Sequence, residues 1–318
     1  VRWMRRWLLG IDDAITEPEF EVFTDEQLQC TPDGQVMLME GARSVFDLNV
    51  DLDKRLATER RKLWRDTPRA QALQKVRDIV GVRRLADIPA CKQEKVGEVE
   101  RDGYRIEKVI LRPDDGIPLP ALAFLPPRSN DDAYLYLHEE GKAADAGEGG
   151  AIEALVRQGH VVLAVDVRGL GETGDAAGRR RDLGLFGPYW GSAFLAYFLA
   201  KSYVGMRTED ILVSARVLRE YRKRANPYRI HLIAIGEVGP PALHAAALEP
   251  SLFASLTLKR SLASWSSVVA TPDFRNQLVN AVHGALTAYD LPDLLATLPE
   301  EKVTVEEPVD AAGEPLAQ

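Results

Sequence analysis

Apolar positions recur at a helical spacing in the first part of the chain and in short, strand-like runs in the second. The helical spacing is marked within residues 50–80, where Pro68 predicts a break between two helices. Residues 1–10 predict a further helix, and residues 11–50 are irregular. We therefore expect residues 1–96 to form a helical and irregular N-terminal extension.

From residue 97 onward, short apolar runs with β-branched members alternate with helical stretches. Residues 104–111 and 117–125 flank a Pro-Asp-Asp-Gly turn and predict a hairpin. Later runs predict strands at residues 133–138, 160–167, 231–235, 252–258 and 302–305. Strands separated by helices form a mainly parallel sheet with helices on its faces. We therefore predict an α/β domain over residues 97–318.

The helices between these strands differ in how clearly the pattern marks them. Residues 151–158 predict a short helix, residues 182–204 an apolar stretch that is helical after Pro188, and residues 264–298 a helical excursion. Residues 208–223 have the pattern of an amphipathic helix, with Thr208 as its N-cap and two acidic residues in the first turn.

Residues 230–248, with the sequence IHLIAIGEVGPPALHAAAL, predict a buried strand, a sharp glycine turn and a helix. Gly236 and Gly239 mark the turn, and the two prolines after them suit a first helical turn, where their missing N–H groups are not needed. This is the shape of a nucleophile elbow, in which a serine stands on a strained strand-to-helix turn. No serine, cysteine or threonine occurs between His231 and Leu248, so the sequence predicts an elbow without its usual nucleophile.

Composition narrows the possible functions. The chain has 318 residues, 46% of them apolar and 28% charged, enough for one large α/β domain. A net charge of −8, with no dense basic run, argues against binding to nucleic acid or to an anionic membrane. No apolar run approaches the ~20 residues of a membrane span and no signal-peptide pattern is present, so a soluble chain is expected. Cys30 and Cys91 are predicted to be free thiols, and no metal-ligand spacing occurs.

Five stretches of the chain follow the order in which one enzyme superfamily carries similar motifs. They are residues 136–142 (YLHEEGK), 166–173 (DVRGLGET), 236–248, 261–265 (SLASW) and 289–294 (YDLPDL). Through them, residues 97–318 resemble the α/β-hydrolase superfamily, and within it bacterial proteins of the acetyl xylan esterase and dienelactone hydrolase type. The resemblance implies an α/β-hydrolase-like fold and carboxylic ester hydrolysis, with no cofactor and no metal.

The beginning of the chain resembles a different part of this group. The sequence WMRRWLLG, followed by an acidic segment and TPDGQV, is similar to the junction between two hydrolase domains in tandem members. On that resemblance residues 1–10 are the last helix of an upstream domain, which is then an expected partner. The alternative is an ordinary N-terminal helix docked on this domain. The resemblance also implies that the last strand of the hydrolase sheet is missing.

The resemblance leaves three alignments of the elbow open. They put Gly236, Glu237 or Val238 at the position of the nucleophile, and none of these residues has a hydroxyl or a thiol. A carboxylate is the covalent nucleophile of some enzymes, so Glu237 is a candidate, with an ion-paired or solvated carboxylate as the alternative. Asp310, just after the strand predicted at residues 302–305, matches the catalytic acid, with a plain loop aspartate as the alternative.

No histidine matches the catalytic base, which follows the final strand in the superfamily. His283 is the one unassigned candidate, and a satisfied or solvated histidine is the alternative. His138 and Glu139 begin the loop that usually builds the oxyanion hole. Arg168 and Glu172 lie in a loop where the resemblance implies a supporting arginine–carboxylate pair. These last four residues are the candidate binding residues near the mouth of the pocket.

Two functions remain open on this evidence. The first is a degenerate hydrolase domain that does not catalyse on its own, and that acts as a scaffold or binds a small ester or carbohydrate-like ligand. The second is an active carboxylesterase with an unrecognised nucleophile such as Ser192 or Ser264. A dinucleotide site at residues 234–239 is disfavoured, because Lys259 and Arg260 stand where an acidic residue should follow the next strand.

Overall fold

The computed structural model describes residues 1–16, 18–114, 116–174, 186–187, 189–222 and 225–316. Within these ranges the chain forms two compact units, Val1–Leu48 and Asn49–Gln318. Residues 182–185 and 188 of the apolar stretch lie outside these ranges, whereas the part predicted to be helical after Pro188 lies inside them and forms a helix at Trp190–Phe198.

Among the described residues of Val1–Leu48, two α-helices lie entirely within the smaller unit. Helix α1 spans Arg2–Leu9 and ends at Gly10, whose φ of 70° supplies the left-handed turn that closes a helix. Helix α2, Asp25–Leu28, begins with a capping box on Thr24. None of the described residues of this unit is buried, so they form no hydrophobic core of their own.

One mixed sheet organises the larger unit. In the described ranges it has eight strands, which are β1 Cys91–Arg101, β2 Tyr104–Pro113, β3 Leu119–Leu125, β4 Asp132–His138, β5 Val161–Val165, β6 Arg229–Ile235, β7 Phe253–Lys259 and β8 Val303–Glu306. Their order in the sheet is β1-β2-β3-β5-β4-β6-β7-β8. Strands β1, β2, β3 and β5 pair in antiparallel fashion, whereas β5, β4, β6, β7 and β8 are parallel. The predicted hairpin and the mainly parallel sheet are confirmed.

Helices connect the strands and pack on the sheet. They are α3 Val45–Asp66, α4 Arg69–Val80, α5 Ala151–Arg157, α6 Trp190–Phe198, α7 Tyr203–Arg219, α8 Gly239–Leu248, α9 Trp265–Ala270 and α10 Leu291–Leu295. The break between α3 and α4 falls at Pro68, as predicted. Proline stops the preceding helix there because it lacks an N–H group, and the same property suits it to the start of the next one.

The central strand β6 is buried on both faces. Ile230, Leu232 and Ala234 belong to the larger core cluster, and Ile235 belongs to a second cluster. Successive side chains of a strand point to opposite faces, so a strand covered on both sides needs an unbroken apolar run. Burial of each large apolar side chain contributes roughly 1.5–3 kcal/mol. This packing fixes the strand that leads into the glycine turn.

Strand β1 is absent from the prediction and crosses the boundary expected between residues 96 and 97. Its sequence, CKQEKVGEVER, is mostly charged or polar, and most of its side chains are exposed. Charged residues on an edge strand discourage pairing with other chains. The run therefore lacks the apolar alternation by which a strand is predicted. Helix α4 lies in the same compact unit as the sheet, Asn49–Gln318, and the division between residues 96 and 97 stays a prediction.

Helix α7 begins earlier than predicted. Ser202 is its N-cap and accepts the N–H of Gly205 at 2.9 Å. Thr208 lies inside the helix, fully buried, and its hydroxyl donates to the carbonyl of Val204. The prediction of Thr208 as the N-cap is therefore wrong. Helix α7 is buried on nearly all sides, so its apolar pattern does not mark where it starts.

The structure also describes the state of the two cysteines and the hydropathy of the helices. Both cysteines are free, Cys30 at the surface and Cys91 half-buried, and burial raises the pKa of the Cys91 thiol. Among the helices of the described ranges, none is long and apolar enough to cross a membrane.

Candidate functional site

The glycine turn after β6 has the geometry of an elbow. Gly236 has a φ of 76°, in the left-handed region that glycine occupies without a steric cost. The turn Gly236–Val238 leads directly into α8, which has Pro240 and Pro241 in its first turn. In an elbow the nucleophile stands on the strained residue of the turn. The backbone therefore fits the alignment that puts Gly236 at that position.

The carboxylate of Glu139 occupies the space beside Gly236, where a Cβ atom would overlap it. Its Oε2 accepts the backbone N–H of Glu237 at 3.1 Å, and its Oε1 lies 3.1 Å from Nη2 of Arg260. The N–H group that follows the nucleophile is one of the two oxyanion donors of an elbow. A carboxylate of the chain itself therefore occupies this donor.

The side chain of Glu237 forms an ion pair with a buried arginine. Its Oε1 lies 2.8 Å from Nη2 of Arg207, which extends from α7 and is fully buried. The two groups are close but poorly aligned, since Glu237 Oε1 and both terminal nitrogens of Arg207 lack a hydrogen bond in the described ranges. The Arg207 guanidinium also lies 4.9 Å from the ring centroid of Tyr203, at cation–π distance. Glu237 is thus an ion-paired carboxylate with unmet hydrogen bonds.

A cavity of about 300 Å³ opens at this turn. Its polar lining consists of Glu139, Glu237, Arg260, Arg275, Asn276, Gln277 and Asn280. A larger cavity of about 540 Å³ lies beside Glu107 on β2, away from this turn. In open α/β sheets ligands bind beyond the carboxyl ends of the parallel strands. This rule selects the cavity at the elbow as the candidate site.

Comparison with known proteins places the fold. No protein-family profile and no functionally curated protein matches the sequence. Among solved structures, a presumed acetyl xylan esterase from Bacteroides fragilis is similar over 85% of this chain and 77% of that one, with a TM-score of 0.64 and 16% identity. The chain has an α/β-hydrolase fold.

A second similar structure is that of a protein named methylesterase BT1017, with a TM-score of 0.53 and 16% identity. It matches over 84% of this chain but over 56% of its own length. At these identities the likeness concerns the fold alone.

Asp310 follows β8, where the acid of a hydrolase is expected, but it is engaged in its own loop. Its Oδ1 accepts the backbone N–H groups of Ala312 and Glu314, both at 2.9 Å. Its neighbours Val309 and Ala312 line the elbow cavity, whereas Asp310 does not. The contacts of this carboxylate are those of a loop aspartate that holds a turn.

The histidines of this hydrolase fold lie elsewhere, and none of the five lines the elbow cavity. His138 accepts a backbone N–H of its own loop at 3.0 Å. His283 packs its ring edge-on against Tyr197, 5.3 Å between centroids. His160 and His231 lie near the amino ends of β5 and β6, opposite the elbow. A base of the hydrolase type is therefore absent from the described lining.

His244, on helix α8, is fully buried and supports the elbow from below. Its Nδ1 lies 2.7 Å from the carbonyl of Pro240, which requires a proton on Nδ1, and its Nε2 accepts the hydroxyl of Tyr289 at 2.9 Å. Burial lowers the pKa of His244 from its usual 6.5 to about 4. The side chain is therefore neutral at pH 7 and has both nitrogens occupied.

The loop after β5 holds a second group of charges. Asp166 is fully buried and accepts the backbone N–H and the ammonium of Lys142, both at 2.6 Å. Lys142 also pairs with Glu172. Burial opposes the charged form of Lys142, but the hydrogen bonds to Asp166 and Glu172 outweigh it and raise its pKa. Arg168 makes two side-chain hydrogen bonds to Asp210, at 2.8 and 2.5 Å.

The structure brings together only part of the predicted site. Glu139, Gly236 and Glu237 meet at the cavity, whereas His138, Asp310, Arg168 and Glu172 do not line it, and Val238 is buried in the core. No group of metal-ligating side chains occurs in the ranges that the structure describes.

Six polar residues of the site are missing from the prediction, namely Arg207, Arg260, Arg275, Asn276, Gln277 and Asn280. Arg207 lies on α7 and Arg260 directly after β7, whereas the other four lie within residues 275–280. A charged residue within an apolar helix is unusual unless it is paired, so Arg207 within the apolar stretch of α7 was the one available signal.

Proposed function

We propose that this domain binds a small, polar, carbohydrate-like ligand at the elbow and does not hydrolyse it. The observation that carries the proposal is the Glu139 carboxylate, which takes the space beside Gly236 and the N–H of Glu237. The name of the first similar structure, a presumed acetyl xylan esterase, is consistent with such a ligand class, since xylan is a carbohydrate.

Acyl transfer needs a nucleophile, a base to deprotonate it and donors for the oxyanion. Gly236 offers no nucleophile, and the described lining offers no imidazole. The N–H of Glu237 already donates to an anion, and a developing oxyanion beside the Glu139 carboxylate would be repelled. These features of the elbow support the proposal of binding without ester hydrolysis at this cavity.

The alternative function is an active esterase that uses another nucleophile. The contacts of its two candidate serines bear on this alternative. Ser264 donates to Asp290 at 2.7 Å and caps α9 by accepting the N–H of Ser267. Ser192 lies at an exposed position of α6. Neither serine lines the elbow cavity. These contacts are those of a helix cap and of a surface residue.

The experiment is a turnover assay with p-nitrophenyl acetate on the folded chain, beside the urea-unfolded chain and the variant Ser264→Ala. We expect the folded chain and the variant to hydrolyse the ester no faster than the unfolded chain does, because side-chain amines and imidazoles give only a background rate. Saturable turnover by the folded chain that a serine-directed fluorophosphonate abolishes would overturn the proposal.

A further inference from the structure

The carboxylate of Glu139 lies in a small anion-binding site at the elbow. Its Oε2 accepts the backbone N–H of Glu237 at 3.1 Å, and its Oε1 lies 3.1 Å from Nη2 of Arg260. The two donors come from the turn after β6 and from the residue that follows β7. A backbone N–H and a guanidinium that converge on one carboxylate are donors of the kind that bind anions in proteins. The elbow therefore contains an anion site whose ligand belongs to the chain itself.

The backbone around this site has hydrogen bonds that do not involve Glu139. The N–H of Gly239 donates to the carbonyl of Gly236, which closes the turn. The N–H of Arg260 donates to the carbonyl of Glu306 at 2.9 Å, which joins it to the end of β8. We therefore expect the N–H of Glu237 to stay in place, and Arg260 to stay within reach, when the Glu139 carboxylate is removed.

The carboxylate fills the anion site but is not sealed within it. The side chain of Glu139 is 33% exposed, so a dissolved molecule can reach it. Glu139, Gly236, Glu237 and Arg260 all line the cavity of about 300 Å³. A Cβ atom added to Gly236 would overlap Oε2 of Glu139, so the carboxylate occupies the space directly beside the turn. A ligand that entered with a carboxylate of its own would meet this group, and like charges repel.

The charged lining of the cavity is balanced. Two carboxylates, Glu139 and Glu237, stand against two guanidinium groups, Arg260 and Arg275. Both carboxylates are ion-paired, Glu139 with Arg260 and Glu237 with Arg207 of α7. A neutral ligand keeps this balance, whereas a carboxylate ligand adds a third negative charge.

We propose that Glu139 determines the charge specificity of the elbow cavity. Its carboxylate is a built-in ligand of the anion site, so it excludes carboxylate ligands and restricts the cavity to uncharged, hydroxylated ones. A tethered group has an effective concentration of roughly millimolar or more, so a free carboxylate competes poorly with it. This inference rests on the proposed function, since it concerns the ligand that the elbow binds without hydrolysis.

The test replaces the missing carboxylate chemically. Glu139→Ala removes a CH₂–COO⁻ group, and acetate supplies the same heavy atoms as a free ligand. Acetate is titrated at constant ionic strength and followed by NMR at the amide resonance of Glu237. We expect Glu139→Ala to bind acetate roughly tenfold or more tightly than wild type does, and to gain no affinity for neutral acetamide. Equal acetate affinities of Glu139→Ala and wild type would overturn the inference.

Further variants separate the filling of the site from a loss of charge nearby. Glu140→Ala is the matched control, since the Glu140 carboxylate is exposed and has no ion pair or hydrogen bond in the described ranges. It should bind acetate as weakly as wild type does. Glu139→Gln removes the charge but keeps the space filled, so it should bind acetate at least roughly threefold more weakly than Glu139→Ala. Equal acetate affinities of Glu139→Ala and either of these variants would contradict the proposal.

Two additional variants complete the test. Adding Arg260→Gln to Glu139→Ala should weaken acetate binding roughly threefold or more, because one of the two donors then lacks its charge. An unchanged acetate affinity would remove Arg260 from the site and contradict the proposal. Glu139→Ser opens the same space and takes the place of Glu139→Ala, with the same expected results, if the alanine variant does not fold.

The two proposals can fail separately. Saturable, fluorophosphonate-sensitive turnover of p-nitrophenyl acetate by wild type rejects the proposed function, and with it the claim that the ligand is bound without hydrolysis. Absent turnover, together with failure of Glu139→Ala to bind acetate, rejects only the anion site and leaves the silent elbow in place.

Discussion

Two groups of buried charges lie in loops that follow the parallel strands, and they differ in how well their hydrogen bonds are satisfied. Around Asp166, the ammonium of Lys142 and two backbone N–H groups all donate to one carboxylate. At the elbow, Glu237 and Arg207 approach to 2.8 Å, yet three of their polar atoms lack hydrogen bonds in the described ranges. The hydrogen bonds of the Asp166 cluster are therefore complete, whereas those of the elbow cluster are not.

The difference separates structural support from a site. A completed buried network rigidifies the loops that it joins, whereas an incomplete one carries a cost that a bound molecule can remove. The Asp166 cluster therefore fixes the loops after β4 and β5. The elbow cluster has buried polar atoms of Arg207 and Glu237 that make no hydrogen bond in the described ranges, beside a cavity that Glu237 lines. Substitutions in the two clusters should differ accordingly, the first acting on stability and the second on binding.

The largest expected effect is on stability at the completed cluster. Asp166→Ala leaves the ammonium of Lys142 with the exposed Glu172 as its one remaining partner in the described ranges. We expect a loss of about 3–5 kcal/mol in the free energy of unfolding, the cost of breaking a buried ion pair. Urea denaturation measures it, with Glu172→Ala as the control, for which a loss below about 1 kcal/mol is expected. Similar losses for both variants would contradict the role of Asp166.

The next effect is a pH dependence of stability from His244. Its pKa is about 4 in the folded chain and 6.5 when unfolded, so the unfolded chain binds more protons between these values. The free energy of unfolding that the neutral, buried imidazole contributes is fully present above pH 6.5. It is lost as the pH falls toward 4, by about 3 kcal/mol in total. Urea denaturation from pH 7 to 4 should show a shallower decline for His244→Gln. Parallel curves for the two proteins would refute the assignment.

A smaller effect is expected at the elbow turn itself. Gly236→Ala adds a Cβ that overlaps the Glu139 carboxylate and forces alanine to a φ near 76°. We expect a loss of roughly 1–3 kcal/mol in unfolding free energy. Part of this cost should disappear in the Glu139→Ala background, because the overlap is then gone while the backbone strain remains. Strict additivity of the two substitutions in a double-mutant cycle would show that the carboxylate does not occupy that space.

The smallest expected effect on stability is at Arg275. Its exposed guanidinium contacts no partner in the described ranges, so Arg275→Gln should change the free energy of unfolding by less than about 0.5 kcal/mol. Thermal or urea denaturation beside wild type measures this. A loss of more than about 1 kcal/mol would mean that Arg275 supports the fold, and would remove the contrast with Asp166.

The sequence predicts the main strands, turns and helix breaks of the domain because each of them depends on a local pattern. The apolar run of β6, the Gly236 turn and the break at Pro68 are each visible within a few residues. Strand β1 is not predicted, because this edge strand exposes charged side chains in place of an apolar alternation. Such charges discourage pairing of the edge with other chains. Thr208 is mistaken for a helix start because α7 is buried on nearly all sides.

The site could be predicted only in part, because its contacts join residues far apart in the chain. The sequence marks the absence of a hydroxyl at Gly236, but not the carboxylate of Glu139 that stands in its place. That contact depends on the pairing of β4 with β6. Likewise, Glu237 is noticed as a carboxylate, whereas its ion pair with Arg207 follows from the packing of α7.

The most direct test of the account is intact-mass analysis of the folded chain after incubation with a fluorophosphonate, beside an authentic serine hydrolase that the reagent modifies fully. Under the proposed function, Gly236 stands at the strained position of the elbow, Glu139 accepts the following N–H, and no serine is activated there. The account predicts no adduct under conditions that label the control enzyme completely. A stoichiometric adduct, lost on substitution of one serine such as Ser264 or Ser192, would contradict it.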